Sequence, residues 1–249
     1  MKLANWNVAK PVAPGRRELM LKHIEQVRAE VLVLTETHDG FNPGYKHHCS
    51  STAGLDAEGD EENSEHRWVA IWSNHELNQI PTKDQKRSVA ARVVPSTGDP
   101  FIVFGTVLPW TGSSWREYPS AGGIAYREAL AVQLADWEGL RRDFPSEELF
   151  VMGDFNQTLT DLEYYGTKTN RIQLESALNR AGLVALTAEE NDPIARDSNP
   201  CACIDHICMQ ADSRWRLVHT ERWPDECKPP KSLSDHFGVA VLLELKSTG

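Results

Sequence analysis

The sequence predicts an α/β fold in which sheet packs on sheet and helices lie outside. Short apolar segments of strand type outnumber amphipathic segments of helical length, of which only three are convincing. One of them, residues 31–34, is a continuous apolar run, which is typical of a strand buried on both faces. The chain has 249 residues and 40% apolar content, enough for one sizeable core. No repeat or break in composition divides it, so we expect residues 1–249 to form a single domain.

The amino-terminal half begins with a strand, a helix and a second strand in succession. Apolar residues recur at helical spacing between two apolar runs, and the second run is followed by Thr35 and Glu36. The next stretch, residues 37–66, lacks periodicity and predicts a long loop. The elements predicted here are a helix at 16–29 and strands at 3–8, 31–34, 68–73, 88–94 and 101–108, the last two paired as a hairpin.

The carboxy-terminal half begins with a second loop, residues 109–123. The next stretch has an amphipathic pattern that predicts a helix ending at Phe144-Pro145. A later helix is expected to stop at Gly182, the residue type that commonly follows a helix. The elements predicted here are helices at 125–142 and 172–181 and strands at 149–152, 204–209, 215–220 and 239–245.

The composition argues against several classes of protein. A formal net charge of −10 disfavours unspecific coating of nucleic acid, although a local cationic cleft or a bound metal is compatible with it. No apolar run approaches the ~20 residues of a membrane helix. A cleaved leader of ~15–30 residues would remove the first strand, which begins at Lys2 or Leu3. The sequence therefore predicts a cytoplasmic protein, with no obligate protein partner evident.

The five cysteines show no regular framework. They are Cys49, Cys201, Cys203, Cys208 and Cys227. Their odd number favours thiols in a reducing compartment. A zinc site remains an alternative for the last four, although no tetrad spacing supports it.

Polar side chains stand where the predicted strands meet loops. Carboxylate, carboxamide and imidazole groups can together hold a hard divalent cation, a phosphate and an attacking water. A single Asp at a strand end is usually a cap or turn former, so the hypothesis depends on the whole set. Its members are Asn5, Asn7, Glu36, Asp154, Asn156, Asp205, Asp235 and His236. Such a set predicts a protein that cleaves phosphoesters.

Five short motifs carry a resemblance to the endonuclease/exonuclease/phosphatase superfamily over nearly the whole chain. They are Asn5-Trp6-Asn7, Thr35-Glu36-Thr37, Gly153-Asp154-Phe155-Asn156, Ile204-Asp205-His206 and Ser234-Asp235-His236-Phe237-Gly238-Val239. Each motif is weak alone, but all five occur in the family's order at predicted strand ends. The resemblance implies a four-layered α/β sandwich, in which two packed mixed β-sheets are flanked by helices as in deoxyribonuclease I.

The resemblance implies a magnesium site, in which Mn²⁺ is able to substitute. Glu36 resembles the main ligand. Asn7 resembles its companion, whose amide oxygen reaches the metal or a metal-bound water, and Asp235 resembles a further ligand, either direct or through a water. Mg²⁺ prefers oxygen and typically takes one or two carboxylates while it keeps several waters. For Asn7, the alternative is a side chain that closes a turn after the first strand.

The resemblance also implies catalytic roles. Asp154 resembles the residue that positions and deprotonates the attacking water, and Asn156 the residue that donates its amide to a phosphate oxygen. His236 resembles the imidazole that contacts the scissile phosphate, and Asp205 the carboxylate that orients it. A buried acid satisfied by backbone donors is the alternative for Asp205. Since adjacent strand residues face opposite sides, His206 is expected to lie away from the site.

One stretch departs from the superfamily pattern. Many of its nucleases carry a second His, or a Tyr, just before a proline at the end of a middle strand. The equivalent residues, 105–110, offer Thr106 but no imidazole or phenol. Candidate replacements from the residues that follow are Arg116, Tyr118 and Tyr126.

The loop at 109–123 is a candidate binding surface. Trp110, Trp115 and Tyr118, with Arg116 beside them, are predicted to contact substrate by stacking, and Asn5 is a further candidate contact. The alternative is that these aromatic residues pack under the loop. Basic residues that either meet a phosphate backbone or form a solvated face are Lys83, Lys86, Arg87, Arg16, Arg17, Lys228 and Lys231.

The predicted function is Mg²⁺-dependent hydrolysis of a phosphodiester by water, with a nuclease acting on DNA or RNA favoured by the resemblance. The alternative is a phosphatase or phosphodiesterase for a small molecule or lipid headgroup, which the acidic balance and the missing second His favour. A non-catalytic binding module on the same fold is disfavoured, because every polar position of the core set holds a competent residue.

Overall fold

A computed structural model of the chain describes residues 1–53, 65–161, 164–195, 201–224 and 233–246. The helices in these ranges are α1 (Pro14–Val27), α2 (Ile124–Asp143) and α3 (Lys168–Ala181). The strands are β1 (Lys2–Asn7), β2 (Val31–His38), β3 (His47–Ser50), β4 (His66–Ser73), β5 (Glu76–Ile80), β6 (Ser88–Val94), β7 (Phe101–Val107), β8 (Glu148–Asp154), β9 (Leu183–Ala185), β10 (Asp205–Gln210), β11 (Trp215–Trp223) and β12 (Gly238–Leu245).

The strands form two mixed sheets of six. The order is β11-β12-β1-β2-β4-β3 in the first sheet and β5-β6-β7-β8-β10-β9 in the second. Only two of these pairs are parallel, β1 with β2 and β7 with β8, and α1 and α2 make the respective crossovers. Within each of these two pairs, the carboxyl ends of both strands therefore lie at the same edge of the sheet.

Three apolar clusters separate four layers. One cluster fills the space between the sheets and includes Leu3, Val33 and Phe150. A second joins α1 to the outer face of the first sheet, and a third joins α2 and α3 to the outer face of the second. The chain thus has the predicted helix–sheet–sheet–helix sandwich.

Residues at the helix ends explain their boundaries, although α1 lies two residues earlier than predicted and α3 begins four residues earlier. Pro14 occupies the first turn of α1, where its missing N–H costs no hydrogen bond. The Thr167 side chain caps α3 by accepting from the Asn170 N–H at 3.1 Å, and Gly182 ends it with a φ of 63°. Within the described ranges, no helix is both long and apolar enough to cross a membrane.

The predicted helices and long strands are confirmed, but four details are wrong. Glu36 was expected directly after a strand, whereas it lies inside β2. The edge strands β3, β5 and β9 were not predicted. The first two are rich in polar residues and lack the apolar pattern of the central strands, and β9 is only three residues long.

Gly153 allows β8 to lie close to β7. Its φ is 150°, and a Cβ placed on it would lie 1.9 Å from the Thr106 carbonyl oxygen. No side chain fits there, because the contact is with backbone that belongs to the sheet. The strand therefore depends on glycine at the residue before Asp154.

We predict that Gly153→Ala lowers the free energy of unfolding by about 2 kcal/mol or more, on the scale of overpacking in a core. Gly15→Ala is the matched control, because a Cβ at Gly15 in α1 meets nothing within 4 Å. Urea unfolding of the two variants measures the difference. Equal stability would contradict the assigned close approach of β7 and β8.

Candidate active site

The candidate residues converge at one end of the space between the sheets. Asn7 ends β1, Asp154 ends β8, and Asp205 begins β10 directly opposite Asp154 in the antiparallel ladder. His236 stands two residues before β12, which pairs with β1. Side chains alternate between the two faces of each strand, so these polar side chains point into the space between the sheets. The apolar core fills the same space further along the strands.

The Asn7 side chain joins two carboxylates. Its amide nitrogen donates to Glu36 Oε1 at 3.1 Å and to Asp154 Oδ2 at 3.0 Å. Its amide oxygen accepts from the Ala9 N–H at 2.9 Å. The turn-closing alternative for Asn7 is therefore present in the structure, and one lone pair of the oxygen remains for a further partner.

The backbone is strained around this amide. Ala9, Lys10, Glu36 and Asn156 have φ values of 45–55°, which non-glycine residues rarely adopt. Thr35 and Thr37 pair with β4 on either side of Glu36, and the Glu36 carbonyl accepts instead from the Lys10 N–H at 2.7 Å. Such strain clusters at functional sites, where the surrounding structure holds it in place.

Asp154 is a buried acid held by two donors. Its Oδ1 accepts from the Asn156 N–H at 2.8 Å, and its Oδ2 from Asn7. Burial raises its pKa to about 7, and the charges of Asp205 and Glu36 act in the same direction. His236 and the Asn156 hydrogen bond oppose this rise. The carboxylate form thus relies on these partners.

His236 and Asp205 form a close pair. The imidazole Nδ1 lies 2.7 Å from Asp205 Oδ2, and Asp205 is buried. Burial by itself lowers the pKa of His236, but Asp205, Asp154 and Asp235 raise it to about 10. The ring is therefore protonated at neutral pH. The partner of Asp205 is this ring rather than backbone donors, so the alternative for Asp205 is wrong.

The segment that carries His236 is attached to β1. The Ser234 hydroxyl donates to the Asn7 carbonyl at 2.7 Å and accepts from the His236 N–H at 3.1 Å. The Trp6 indole N–H donates to the His236 carbonyl at 3.1 Å. These bonds place the imidazole relative to the same strand that carries Asn7.

Arg16 lies beneath the metal candidates. Its guanidinium donates to the carbonyls of Val8 at 2.8 Å and Ala9 at 2.9 Å, and also to that of Leu233. Burial lowers its pKa, while the charges of Asp235 and Glu36 raise it. Both carboxylates thus attract the Arg16 guanidinium. Arg16 is a structural residue rather than part of a solvated basic face.

The donor set fits a hard divalent cation. Glu36 is partly exposed and Asp235 is exposed, so both offer carboxylate oxygens that solvent reaches, whereas Asn7 adds a buried amide oxygen. Another group, Asp154, Asp205 and His236, has ligand atoms within 4.8 Å of one another. It fits a cation less well, because the protonated imidazole repels positive charge and already binds Asp205.

Cysteine contributes to no such group among the described residues. No disulfide joins the four described cysteines, and Cys227 lies outside the described ranges, as do Lys228 and Lys231. The zinc alternative therefore has no support in the part of the chain that the structure describes.

A cavity of about 270 Å³ opens beside these residues. Four predicted site residues line it, namely Asn156, Asp205, Asp235 and His236. Tyr164 and Tyr165 line it as well, and sequence reasoning missed both. A tyrosine pair beside Gly166, in the loop after the Gly153–Asn156 motif, was the available signal.

Trp115 is a core residue, and its predicted stacking on substrate is wrong. It is 2% exposed, and its indole N–H donates to Asp84 Oδ2 at 2.9 Å. Tyr118 stacks on the ring at 5.9 Å between centroids, and the Arg116 guanidinium lies 4.3 Å from the ring centroid. Neither neighbour is among the described residues that line the cavity.

Trp110 also takes part in packing, although it keeps partial exposure. Its ring lies 6.2 Å from that of Trp68, and the buried Arg87 guanidinium lies 4.1 Å from Trp68 and 5.8 Å from Trp110. Arg87 is fully buried. It is therefore a core residue and does not contribute to the predicted basic patch at Lys83, Lys86 and Arg87.

Other predicted residues also lie in the core. Asn5 is fully buried between Val33 and Val239, one inward position below Asn7, so its predicted substrate contact is wrong. Neither Thr106 nor Tyr126 replaces the missing His or Tyr. The Thr106 hydroxyl donates to Gln133 of α2, and Tyr126 is buried in the helical layer.

His206 is confirmed as a core residue. Its Nε2 lies 3.0 Å from the Gln157 carbonyl oxygen, and its Nδ1 lies 3.2 Å from the Thr187 hydroxyl. Burial lowers its pKa, so the ring is neutral. It lies on the face of β10 opposite to Asp205, as strand alternation predicts.

The chain matches one family of known proteins over most of its length. The model described as "Endonuclease/Exonuclease/phosphatase family" matches residues 4–236. No curated protein sequence matches the chain.

Several solved structures share the fold at low sequence identity. An endonuclease/exonuclease/phosphatase from Beutenbergia cavernae DSM 12333 is 19% identical with a TM-score of 0.71, over 98% of this chain and 71% of that one. An AP endonuclease from Archaeoglobus fulgidus is 16% identical with a TM-score of 0.64, over 98% and 100% of the chains. A Neisseria 3′ phosphatase bound to a product DNA hairpin is 17% identical with a TM-score of 0.64, over 98% and 99%.

We predict that Trp115→Phe destabilises the protein by about 1–3 kcal/mol, because it leaves the Asp84 carboxylate oxygen without its donor. Asp84→Ala removes the same bond. The double variant is therefore expected to lose less free energy of unfolding than the two single variants lose in total. Thermal and urea unfolding of the four proteins gives the coupling. Additive losses would show that the indole contributes through another contact.

Proposed function

The chain belongs to the endonuclease/exonuclease/phosphatase family, and we propose that it hydrolyses a phosphodiester of DNA or RNA by metal-assisted attack of water. The observation that carries the proposal is one continuous polar site. The Asn7 amide joins Glu36 to Asp154, and the Asp205–His236 pair stands beside them at the same end of the core. Family membership supports phosphoester hydrolysis as the reaction class.

The proposed metal is Mg²⁺, with Mn²⁺ able to replace it. Glu36 and Asp235 would hold it through carboxylate oxygens, and Asn7 through the remaining lone pair of its amide oxygen. The two carboxylates reach solvent, which suits a cation that keeps part of its water shell. When bound, the cation would supply Lewis acidity and neutralise charge on the phosphate and the leaving oxygen.

The protein side chains supply the remaining functions. Asp154 is the proposed acceptor of the proton from the attacking water, since its carboxylate is fixed by Asn7 and by the Asn156 N–H. Asn156 donates one amide hydrogen to the Leu108 carbonyl at 3.0 Å and keeps the second for a phosphate oxygen. The His236 imidazole, which Asp205 orients, stabilises the charge that develops on the phosphoryl group.

Nucleic acid is the proposed substrate class. Among the similar structures are an AP endonuclease and a 3′ phosphatase with a bound DNA hairpin. A chain with a net charge of −10 has little attraction for a polyanion at long range. The proposed contacts are therefore local, at the cavity and the adjoining metal ligands. We further propose that residues 1–249 form one domain, which the shared core between the sheets supports.

The metal requirement is tested with Glu36→Gln and with EDTA. We expect EDTA to abolish hydrolysis, Mg²⁺ or Mn²⁺ to restore it, and Glu36→Gln to lower kcat/KM by at least about 100-fold, on the scale of a lost electrostatic element. Glu175→Gln is the control, because Glu175 is exposed on α3. Turnover that resists EDTA and survives the Glu36 change would refute the metal mechanism.

The imidazole pair is tested by a double-variant cycle. We expect His236→Ala to lower kcat by at least about 100-fold, since it removes a donor to the phosphate. Asp205→Asn should lower kcat by a smaller factor. In the His236→Ala background it should lower kcat little further, because Asp205 acts through the ring. Independent, additive losses on kcat would show that Asp205 has a separate role.

The substrate class is tested with a panel of plasmid, single-stranded and abasic DNA, RNA, inositol phosphates and sphingomyelin. Nucleic-acid cleavage with affinity that falls as salt rises is the expected result. Exclusive turnover of inositol phosphates or sphingomyelin would replace the nuclease proposal by the small-molecule or lipid-headgroup alternative, without affecting the proposed chemistry.

A further inference from the structure

The cavity presents an electrostatic problem to a phosphate. Asp205 and Asp235 line it, and the buried Asp154 lies close behind them. Three acids near one anion are repulsive unless the proposed cation and hydrogen-bond donors together compensate them. His236 and Asn156 are donors already assigned, and the end of β7 adds none, because Thr106 turns to Gln133 and Val107 is buried in the core.

We propose that Tyr165 is a further substrate-contacting residue, whose phenol O–H donates a hydrogen bond to a phosphoryl oxygen bound in the cavity. A neutral hydroxyl adds attraction for the anion without adding a charge that must itself be compensated. The inference rests on the proposed function for its choice of substrate, and on the cavity geometry for its choice of residue.

The backbone holds Tyr165 firmly at the cavity wall. Its N–H donates to the Thr158 hydroxyl at 3.0 Å, and its carbonyl accepts from the Thr158 hydroxyl at 2.9 Å and from the Thr158 N–H at 3.2 Å. Gln157 Nε2 donates to the same carbonyl at 3.3 Å. Gly166 then turns the chain with a φ of 87° against the Gln157 side chain. Because these bonds hold the backbone in place, little conformational entropy is lost when the Tyr165 side chain binds a ligand.

The Tyr165 phenol stands at the cavity wall as a neutral donor. Burial raises the pKa of Tyr165, the Thr111 side chain lowers it, and Asp154 and Asp235 raise it further. The phenol therefore keeps its hydrogen at neutral pH, and Tyr165 lines the cavity beside Asn156 and His236.

Tyr45 is the matched control. It is partly buried like Tyr165, but its hydroxyl donates to the Ala29 carbonyl at 3.0 Å, and it is not among the described residues that line the cavity. Tyr164 lines the cavity itself, so it does not serve as a control.

The experiment compares Tyr165→Phe with Tyr45→Phe, since both keep the ring and remove only the hydroxyl. Binding of inorganic phosphate in the presence of Mg²⁺ is measured by calorimetry, and turnover is measured on the best substrate of the panel. We expect Tyr165→Phe to weaken phosphate binding by about tenfold, on the scale of a hydrogen bond to a charged group, and to lower kcat/KM by about 100-fold. Tyr45→Phe should change each by less than about threefold.

The outcomes separate the two proposals. If Tyr165→Phe binds phosphate and turns over substrate like the wild type, or if both variants lose equally, the Tyr165 assignment is overturned while the phosphoesterase proposal stands. If the wild type cleaves nothing but Tyr165→Phe alone loses phosphate affinity, the proposed function fails and the assignment stands. Thermal unfolding of both variants confirms that neither has lost its fold.

Discussion

The site depends on one buried amide, that of Asn7. Carboxylates placed close together repel, and burial makes each charged form still less favourable. Asn7 donates one hydrogen to Glu36 and one to Asp154, so a single side chain partly compensates both. Its oxygen is fixed by the Ala9 N–H, which prevents the amide from turning round. Replacing this group by a hydrocarbon would leave two acids adjacent without a shared donor.

The fold supplies the rigidity that this amide needs. Asn7, Asp154 and Asp205 all stand on central strands of the two sheets, where neighbouring strands pair on both sides. The strained backbone at Glu36 and Asn156 costs of order 1–3 kcal/mol per residue, which only a well-packed surrounding can offset. The apolar cluster between the sheets provides that surrounding, and the polar site is its continuation at one end.

Sequence reasoning succeeded where a residue's role follows from its own strand or helix. Apolar periodicity predicted the three helices and the central strands, and alternation predicted that Asp205 and His206 face opposite sides. It failed where the partner is remote in sequence. Trp115 is buried because Asp84, 31 positions earlier, accepts from its indole, and no local pattern indicates that pair.

The same limit explains why both tyrosines were missed. Tyr165 reaches the site only because the loop after β8 folds back on Thr158 and meets Thr111 from the loop after β7. Nothing in the local sequence encodes that meeting. Thr111 and Tyr165 belong to loops that leave the adjacent parallel strands β7 and β8, so the parallel pairing brings both loops to the same end of the second sheet. The floor of the candidate site belongs to strands, whereas its wall belongs to these loops. Under the proposed function, we expect changes in the loops to alter which phosphoester is accepted while the floor keeps its chemistry.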